Sequence, residues 1–393
     1  MTFKHRNVLA LLAATALVAS ACSSSAATAS PVVTPSPVVT EAASATAAPS
    51  APSATATPLA LKIGVVTDVG RVDDKNFNQY SYEGAKAAAT ALGTTAEYVV
   101  PKDASDYTKD IQSFIDQKYN VIVTVGFNLG DATIKAAKAN PNVWFIAVDV
   151  APCVDATGAP DSTFKCAGDA SKLLPHLIGV TFQEDQAGYL AGIVAASVSK
   201  TGNIGQLGGI NNNPAVVRYL QGYQLGAASY KASTKVQTDF FSTGDLGKAY
   251  GDPVFGKTFS TQFIKQKGVD VLFQVAGGTG NGALDAACAA NILAIGVDVD
   301  EYLSYPTADK CIVTSAEKHL SSAVNQTITA ISKGTAAGGV SKFNAANDGI
   351  GISPFHNTAI TIPADVQGKL DTALAAMKAG TLKTCPDTCG TWK

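Results

Sequence analysis

Charge is scarce in this chain, and histidine is scarcer. Asp, Glu, Lys and Arg make up 15% of the 393 residues, the net charge is −2, and no basic stripe runs along any segment. That balance excludes nucleic acid as a partner. Only four histidines occur, His5, His176, His319 and His356, and none is spaced to pair with another. A histidine-assisted nucleophile or a histidine metal site therefore has no sequence support. No CxxC pair is present, and the histidine nearest a cysteine, His319 after Cys311, stands alone. No metal and no cofactor are expected. The apolar run Val8 to Val18 is too short for a membrane span.

What is there begins with a targeting signal. Lys4, His5 and Arg6 precede that apolar run, and Ala19-Ser20-Ala21 precede Cys22. The pattern reads as a signal peptide over residues 1–21. Small residues before a cysteine resemble the bacterial lipobox, in which Cys22 carries the lipid and becomes the mature N-terminus. Ordinary cleavage near Ala21 is the alternative. Residues 22–58 are almost entirely Ser, Ala, Thr, Pro and Val, with Glu41 as the one charge, a composition that cannot bury a core and reads as a tether. The remaining ~335 residues suffice for two domains of ordinary size.

Six further cysteines, Cys153, Cys166, Cys288, Cys311, Cys385 and Cys389, form an even set in an exported chain, which suggests disulfides. Chain neighbours suggest Cys153–Cys166, Cys288–Cys311 and Cys385–Cys389, although spacing alone does not fix the connectivity. Val/Ile-rich runs alternate with Ala-rich segments of helical length. The expected strands are Leu61–Val66, Glu97–Val100, Val121–Val125, Val143–Val148 and Leu177–Thr181, then Asn203–Leu207, Lys235–Phe240, Val269–Val275 and Leu293–Val297. Apolar runs separated by helices read as buried parallel strands of a doubly wound sheet. Nine or more of them exceed one ordinary sheet, so two α/β lobes facing a cleft are expected.

The ends of these strands share a character. Asp68, Gly126, Asp149 and Asp298 each follow a strand, and Gly277-Gly278 follow another. In open α/β sheets ligands bind outside the carboxyl edge, where glycine admits close backbone approach and a carboxylate accepts hydrogen bonds. Phe77 sits where the segment after the first strand turns helical, which sets an aromatic plate near an acceptor and suits a small, flat, polar molecule.

The ordered blocks Thr67-Asp68, Asp73-Asp74-Lys75-Asn76-Phe77-Asn78-Gln79 and Glu83-Gly84 resemble the signature of the basic membrane protein family. Further blocks agree: Thr181 to Gly192, Gly208-Gly209-Ile210 with Arg218 and Gly222, Ala276 to Gly280, Gly296 to Asp300, and Thr314-Ser315 with Lys318. The resemblance spans Leu61 to about Leu370. It implies a type I periplasmic binding protein, α/β, with two Rossmann-like doubly wound lobes joined by three crossovers. The first lobe would hold residues 59–180 and 319–342, the second 181–318 and 343–393. It also implies a non-catalytic lipoprotein of the cell membrane, facing outward, that captures a purine or other nucleoside for an ABC transporter permease. By the same resemblance Asp68 would accept from a base N–H with Asn78 fixing that edge, and Phe77 would stack on the base. Tyr250 would be the second aromatic, Asp149 would line the first-lobe side, and the Gly278 backbone would approach the ligand. Asp298 would take the ribose hydroxyls with help from Lys318. Riboflavin, a sugar or a signalling molecule are alternative ligands, since related folds accept them.

Three patterns point elsewhere. Gly251-Asp252-Pro253-Val254-Phe255-Gly256-Lys257-Thr258 matches the P-loop spelling, yet a P-loop needs a strand running into its first glycine. Gly278-Thr279-Gly280-Asn281-Gly282-Ala283, with Asp298 twenty residues on, fits a dinucleotide fingerprint. Clustered carboxylates also admit nucleoside hydrolysis. Release of free base from inosine would separate an enzyme from a binding protein.

Overall fold

The computed structural model describes residues 60–68 and 70–392. The expected signal peptide, Cys22 and nearly all of the tether lie outside the described residues. Among the described residues no helix is long and apolar enough to cross a membrane.

Two six-stranded sheets form the core, and each copies the other's order. The first runs β2-β1-β3-β4-β5-β11, built from β1 (Ile63–Val66), β2 (Ala96–Val99), β3 (Val121–Val125), β4 (Trp144–Val148), β5 (Leu177–Phe182) and β11 (Gly339–Phe343). The second runs β7-β6-β8-β9-β10-β12, built from β6 (Asn203–Ile210), β7 (Lys235–Ser242), β8 (Val271–Val275), β9 (Leu293–Asp298), β10 (Ile312–Lys318) and β12 (Ile350–Ile352). Every pairing is parallel except β10 with β12. The central strands β1, β3 and β8 are buried at every residue, as continuous Val/Ile runs require when helices cover both faces. The edge strands β2, β7 and β11 are mostly open or half-covered instead.

Helices close over the sheets by spacing and by fit. Tyr107, Ile111 and Phe114 fall on one face of helix Tyr107–Asp116 and are all buried. A Cβ at Gly64 would lie 2.7 Å from the Phe114 ring, so the strand must be bare there. Helices Glu184–Val198 and Pro214–Tyr230 press backbone to backbone: Cβ atoms at Gly188 and Gly222 would meet the Tyr219 and Asp185 carbonyls at 2.2 and 2.0 Å.

The chain crosses between the sheets three times. It passes from β5 into Glu184–Val198, which packs on Pro214–Tyr230 and β10. It returns after β10 into Leu320–Ser332, which packs on helix Phe77–Ala91. It crosses again between β11 and β12. The expected two-lobed α/β fold is therefore present. The structure pairs Cys153 with Cys166, Cys288 with Cys311, and Cys385 with Cys389.

Candidate functional site

In both sheets the strand order reverses beside the first strand of the half, and a crevice opens outside the carboxyl ends there. One cavity occupies it, about 570 Å³ including its mouth. The first half contributes Asp68, Asp74, Phe77, Asn78, Phe127 and Asp149 to its wall; the second contributes Asn213, Tyr219, Tyr250, Gly277, Asp298 and Lys318. Seven of the eight residues singled out from the sequence thus meet around one space. Gly278 is not on the lining; its neighbour Gly277 is.

At one end stand an acceptor and a donor. The donors that hold the Asp68 carboxylate include the Tyr107 hydroxyl on Oδ1 and Asn128 Nδ2 on Oδ2 at 3.2 Å. A Cβ at Gly126 would come within 2.5 Å of Asp68 Oδ2, and Gly126 has φ +112°, so glycine is required twice over. Asn78 Oδ1 accepts from the Asp68 amide at 3.2 Å, which leaves its Nδ2 as a donor. Asp74 holds this loop in shape by accepting from the amides of Asn76, Asn78 and Gln79 at 2.8, 3.0 and 3.1 Å. Burial pushes the Asp74 carboxyl up to about 6 against the pull of those three donors.

The other end is a charge cluster. Lys318, 3% exposed, places Nζ 2.8 Å from Asp149, 3.5 Å from Asp298 and 3.9 Å from Glu184. The ammonium also lies 4.8 Å from the centre of the Phe77 ring, a cation–π distance. Burial would depress the lysine, but the three carboxylates outweigh it and hold the pKa above the ordinary value. Burial raises Asp149 to about 6, with Lys318 opposing. Burial raises Asp298 as well, opposed by Lys318 and by the Tyr219 hydroxyl, which donates to it at 3.1 Å. Glu184 is tied further to Arg218 at 2.6 Å. The second oxygen of Asp149, Oδ1, is buried without a hydrogen-bond partner among the described residues. Both Asp149 and Asp298 adopt left-handed backbone, φ +61° and +64°, a conformation that costs roughly 1–3 kcal/mol for a residue other than glycine.

Tyr250 comes from a single π-helical turn, Gly247–Gly251, and packs so closely on Gly209 that a Cβ there would lie 2.2 Å from its ring. Asn213 Oδ1 caps helix Pro214–Tyr230 by accepting from Ala215, and its Nδ2 donates to the Tyr250 hydroxyl at 3.2 Å. Asn213, Asp74 and Tyr219 were not singled out from the sequence. The Asn-Pro step at a helix start was a legible cap signal for the first; nothing local marks Tyr219.

The same geometry removes the P-loop reading and gives the later glycines a packing role. The segment before Gly251 is a helical turn where a P-loop requires a strand. The glycines of Gly278 to Gly282 serve packing: a Cβ at Gly280 would lie 1.7 Å from the Gln274 side chain, and one at Gly282 would lie 2.0 Å from the Pro253 carbonyl.

Comparison with known proteins agrees with the fold and gives the family. Residues 61–375 match the family model of the PnrA-like ABC transporter substrate-binding proteins. The chain is 31% identical to the ABC transporter nucleoside-binding protein BmpA of Lactococcus lactis over 78% of its own length and 85% of that protein's. It is 26% identical to basic membrane protein D of Borreliella burgdorferi, covering 74% and 78% of the two chains. A solute-binding protein of an ABC transporter system from Aeropyrum pernix superposes with a TM-score of 0.68 at 20% identity, covering 83% of this chain and 94% of that one. That last likeness speaks for the fold alone. Proteins of this kind work outside the cytoplasm and pass a small molecule to a permease; they are not enzymes. On the extent of the family match and the identity to its members, this chain belongs to the PnrA-like ABC transporter substrate-binding proteins.

Proposed function

We propose that this protein captures a nucleoside, a purine nucleoside foremost, between its two lobes and delivers it to its permease. The observation that carries the reading is the pair Asp149 and Asp298, which line one cavity and share the Lys318 ammonium, Asp149 keeping a buried Oδ1 without a partner among the described residues. Two carboxylates held around one ammonium suit two vicinal hydroxyls, because each hydroxyl donates to an ionised acceptor, a bond stronger than a neutral one. The opposite end supports a heterocycle. Phe77 offers a face for stacking, which tolerates any base and contributes roughly 1–3 kcal/mol. Asp68 and the Asn78 amide offer an acceptor beside a donor, the complement of a base edge that carries N–H next to a ring nitrogen or carbonyl. BmpA of Lactococcus lactis, the nucleoside-binding relative, supports the same class of ligand.

Calorimetric titration tests this with inosine, guanosine, adenosine, uridine, free hypoxanthine and ribose. Inosine or another purine nucleoside should bind at least ~100-fold more tightly than either fragment, because the two ends act through one rigid ligand. Equal affinity for ribose and inosine would reassign the site to sugars. No base should be released during the titration.

Cys22 is proposed as the lipid-bearing residue, with residues 23–58 as the tether to the cell membrane. Metabolic labelling with a radioactive fatty acid checks this: label on the wild type and none on Cys22→Ala is the expected result.

A further inference from the structure

The loop that carries Phe77 is fastened from both sides, and the second fastening comes from the opposite lobe. Within its own lobe the loop is shaped by the Asp74 carboxylate, as described above. From the second lobe, Glu301 Oε1 accepts from Asn76 Nδ2 at 2.7 Å, and the Val297 carbonyl accepts from the same nitrogen at 3.2 Å. Asn281 Nδ2 donates to the Asp74 carbonyl at 3.0 Å. Asn76 and Glu301 are fully buried.

Glu301 is built into place before it meets Asn76. Its Oε2 accepts from Gln274 Nε2 at 2.7 Å and from the Val297 amide at 3.0 Å, and its own amide donates to Ser315 Oγ at 3.0 Å. All three partners lie on the second sheet. A buried carboxylate with one oxygen satisfied by its own lobe and the other by the facing lobe is a docking point, since leaving a buried acceptor unmade is costly. Neither Glu301 nor Asn281 lines the cavity. They act through the loop.

We infer that Glu301 and Asn281 are positioning residues for the base-holding loop. They hold Asn76 and Asp74 from across the cleft, and so fix Phe77 and Asn78 where a base would lie only when the lobes are closed. The inference rests on the reading of Phe77 as the base plate. It adds that selectivity for a base is assembled by closure: an open protein presents the sugar carboxylates of each lobe separately and a loosely held plate.

Two measurements test it. Hydrogen exchange on the full chain saturated with inosine, which holds the lobes closed, reads the loop directly. Amides of residues 70–79 should exchange at least ~10-fold faster in Asn281→Ala and in Glu301→Gln than in the wild type, while β1 and β3 keep their protection. Unchanged exchange in both variants overturns the proposal. Calorimetry with inosine reads the coupling. Each variant should bind about 5- to 20-fold more weakly, yet in a Phe77→Ala background either change should cost less than ~3-fold more, because the plate is gone and only Asn78 is left to position. Full additivity with Phe77→Ala overturns the positioning role, as does wild-type affinity in both folded variants. If Phe77→Ala alone leaves inosine affinity untouched, the plate reading fails instead, and the exchange result still decides whether the second lobe holds the loop.

Discussion

The two halves of this molecule repeat one sheet order and then diverge at equivalent places. In each sheet the fourth strand by order, β4 or β9, ends in an aspartate with left-handed backbone, Asp149 at φ +61° and Asp298 at φ +64°. Both reach the same ammonium on Lys318. The loops after the first strands of the halves are unlike. After β1 comes an acidic, asparagine-rich turn that presents Asp68, Phe77 and Asn78; after β6 comes a short turn whose Asn213 caps a helix and touches Tyr250. The repeated feature is suited to a repeated chemical feature, a pair of hydroxyls. The unrepeated feature is suited to the part of a ligand that has no symmetry, its base.

The strongest way to break this comparison is to remove one of the paired aspartates. Asp298→Ala takes away an ionised acceptor, and hydrogen bonds to charged groups contribute about 1.5–3 kcal/mol each. Ribonucleoside affinity should fall at least ~100-fold, while a 2′,3′-dideoxynucleoside should lose less than ~3-fold. Asp149→Ala should resemble it in direction and also release Lys318 from its 2.8 Å partner. Equal losses for both ligand classes, read by calorimetry, would show that the pair does not serve hydroxyls.

The unrepeated loop gives the next effect. Phe77→Ala should weaken purine nucleosides by about ten-fold or more, from the stacking magnitude, and should leave ribose binding as it was. A matching loss for ribose would place Phe77 at the sugar end, beside the Lys318 ammonium it already faces at 4.8 Å.

Protonation separates the two lobes' carboxylates from the fold that buries them. Burial lifts Asp149 to about 6 and Glu301 to about 8, above the ordinary carboxylate range. A carboxyl whose folded pKa is raised favours the folded state most when protonated. Its contribution to stability is full at acid pH and is lost as pH rises through the folded value. Ligand hydroxyls need the ionised form, so affinity moves the other way. The midpoint of thermal unfolding without ligand should therefore rise as pH falls from 8 to 5.5, while inosine affinity drops several-fold below pH 6. Glu301→Gln should flatten the stability profile chiefly between about pH 6 and 8, below the raised folded value of about 8, and leave the acid loss of affinity in place. Stability and affinity that fall together on acidification would contradict the assignment.

How much of this was legible in the chain follows from the range of each interaction. All nine strands read from Val/Ile runs are present, and the central ones were clearest because burial on both faces leaves an unbroken apolar signature. β10, β11 and β12 were not read. The sequence of β10, Ile312–Lys318, is half polar; β11 is an edge with open positions at Val340 and Lys342; β12 has three residues. Strand-end residues such as Asp68 were legible because the end of a strand is a local fact. The meeting of Lys318 with Asp149 and Asp298 came only from family resemblance, since 169 residues separate the first two. The bond between Asn76 and Glu301 spans 225 residues and has no local trace at all. Gly277 in place of Gly278 is a shift of one residue at a helix start, where the backbone of Gly277 turns left-handed at φ +50°.

The smallest expected effect sharpens the comparison most, because it concerns Tyr250, an aromatic that the second lobe adds to the cavity wall. Tyr250 is half-buried, and its withdrawal from water holds its hydroxyl proton on far above the ordinary range. The oxygen already receives the Asn213 amide at 3.2 Å, so the phenol proton is the part of the group left to donate. If that proton reaches the ligand, Tyr250→Phe should cost a purine nucleoside about 3- to 10-fold, the net value of one neutral hydrogen bond, and Asn213→Ala should cost less, since it removes only the group that orients the hydroxyl. If Tyr250 acts as a plate alone, the phenylalanine variant should bind as well as the wild type and only Tyr250→Ala should suffer. Calorimetry with the three variants separates a lobe that reads its ligand from a lobe that merely covers it.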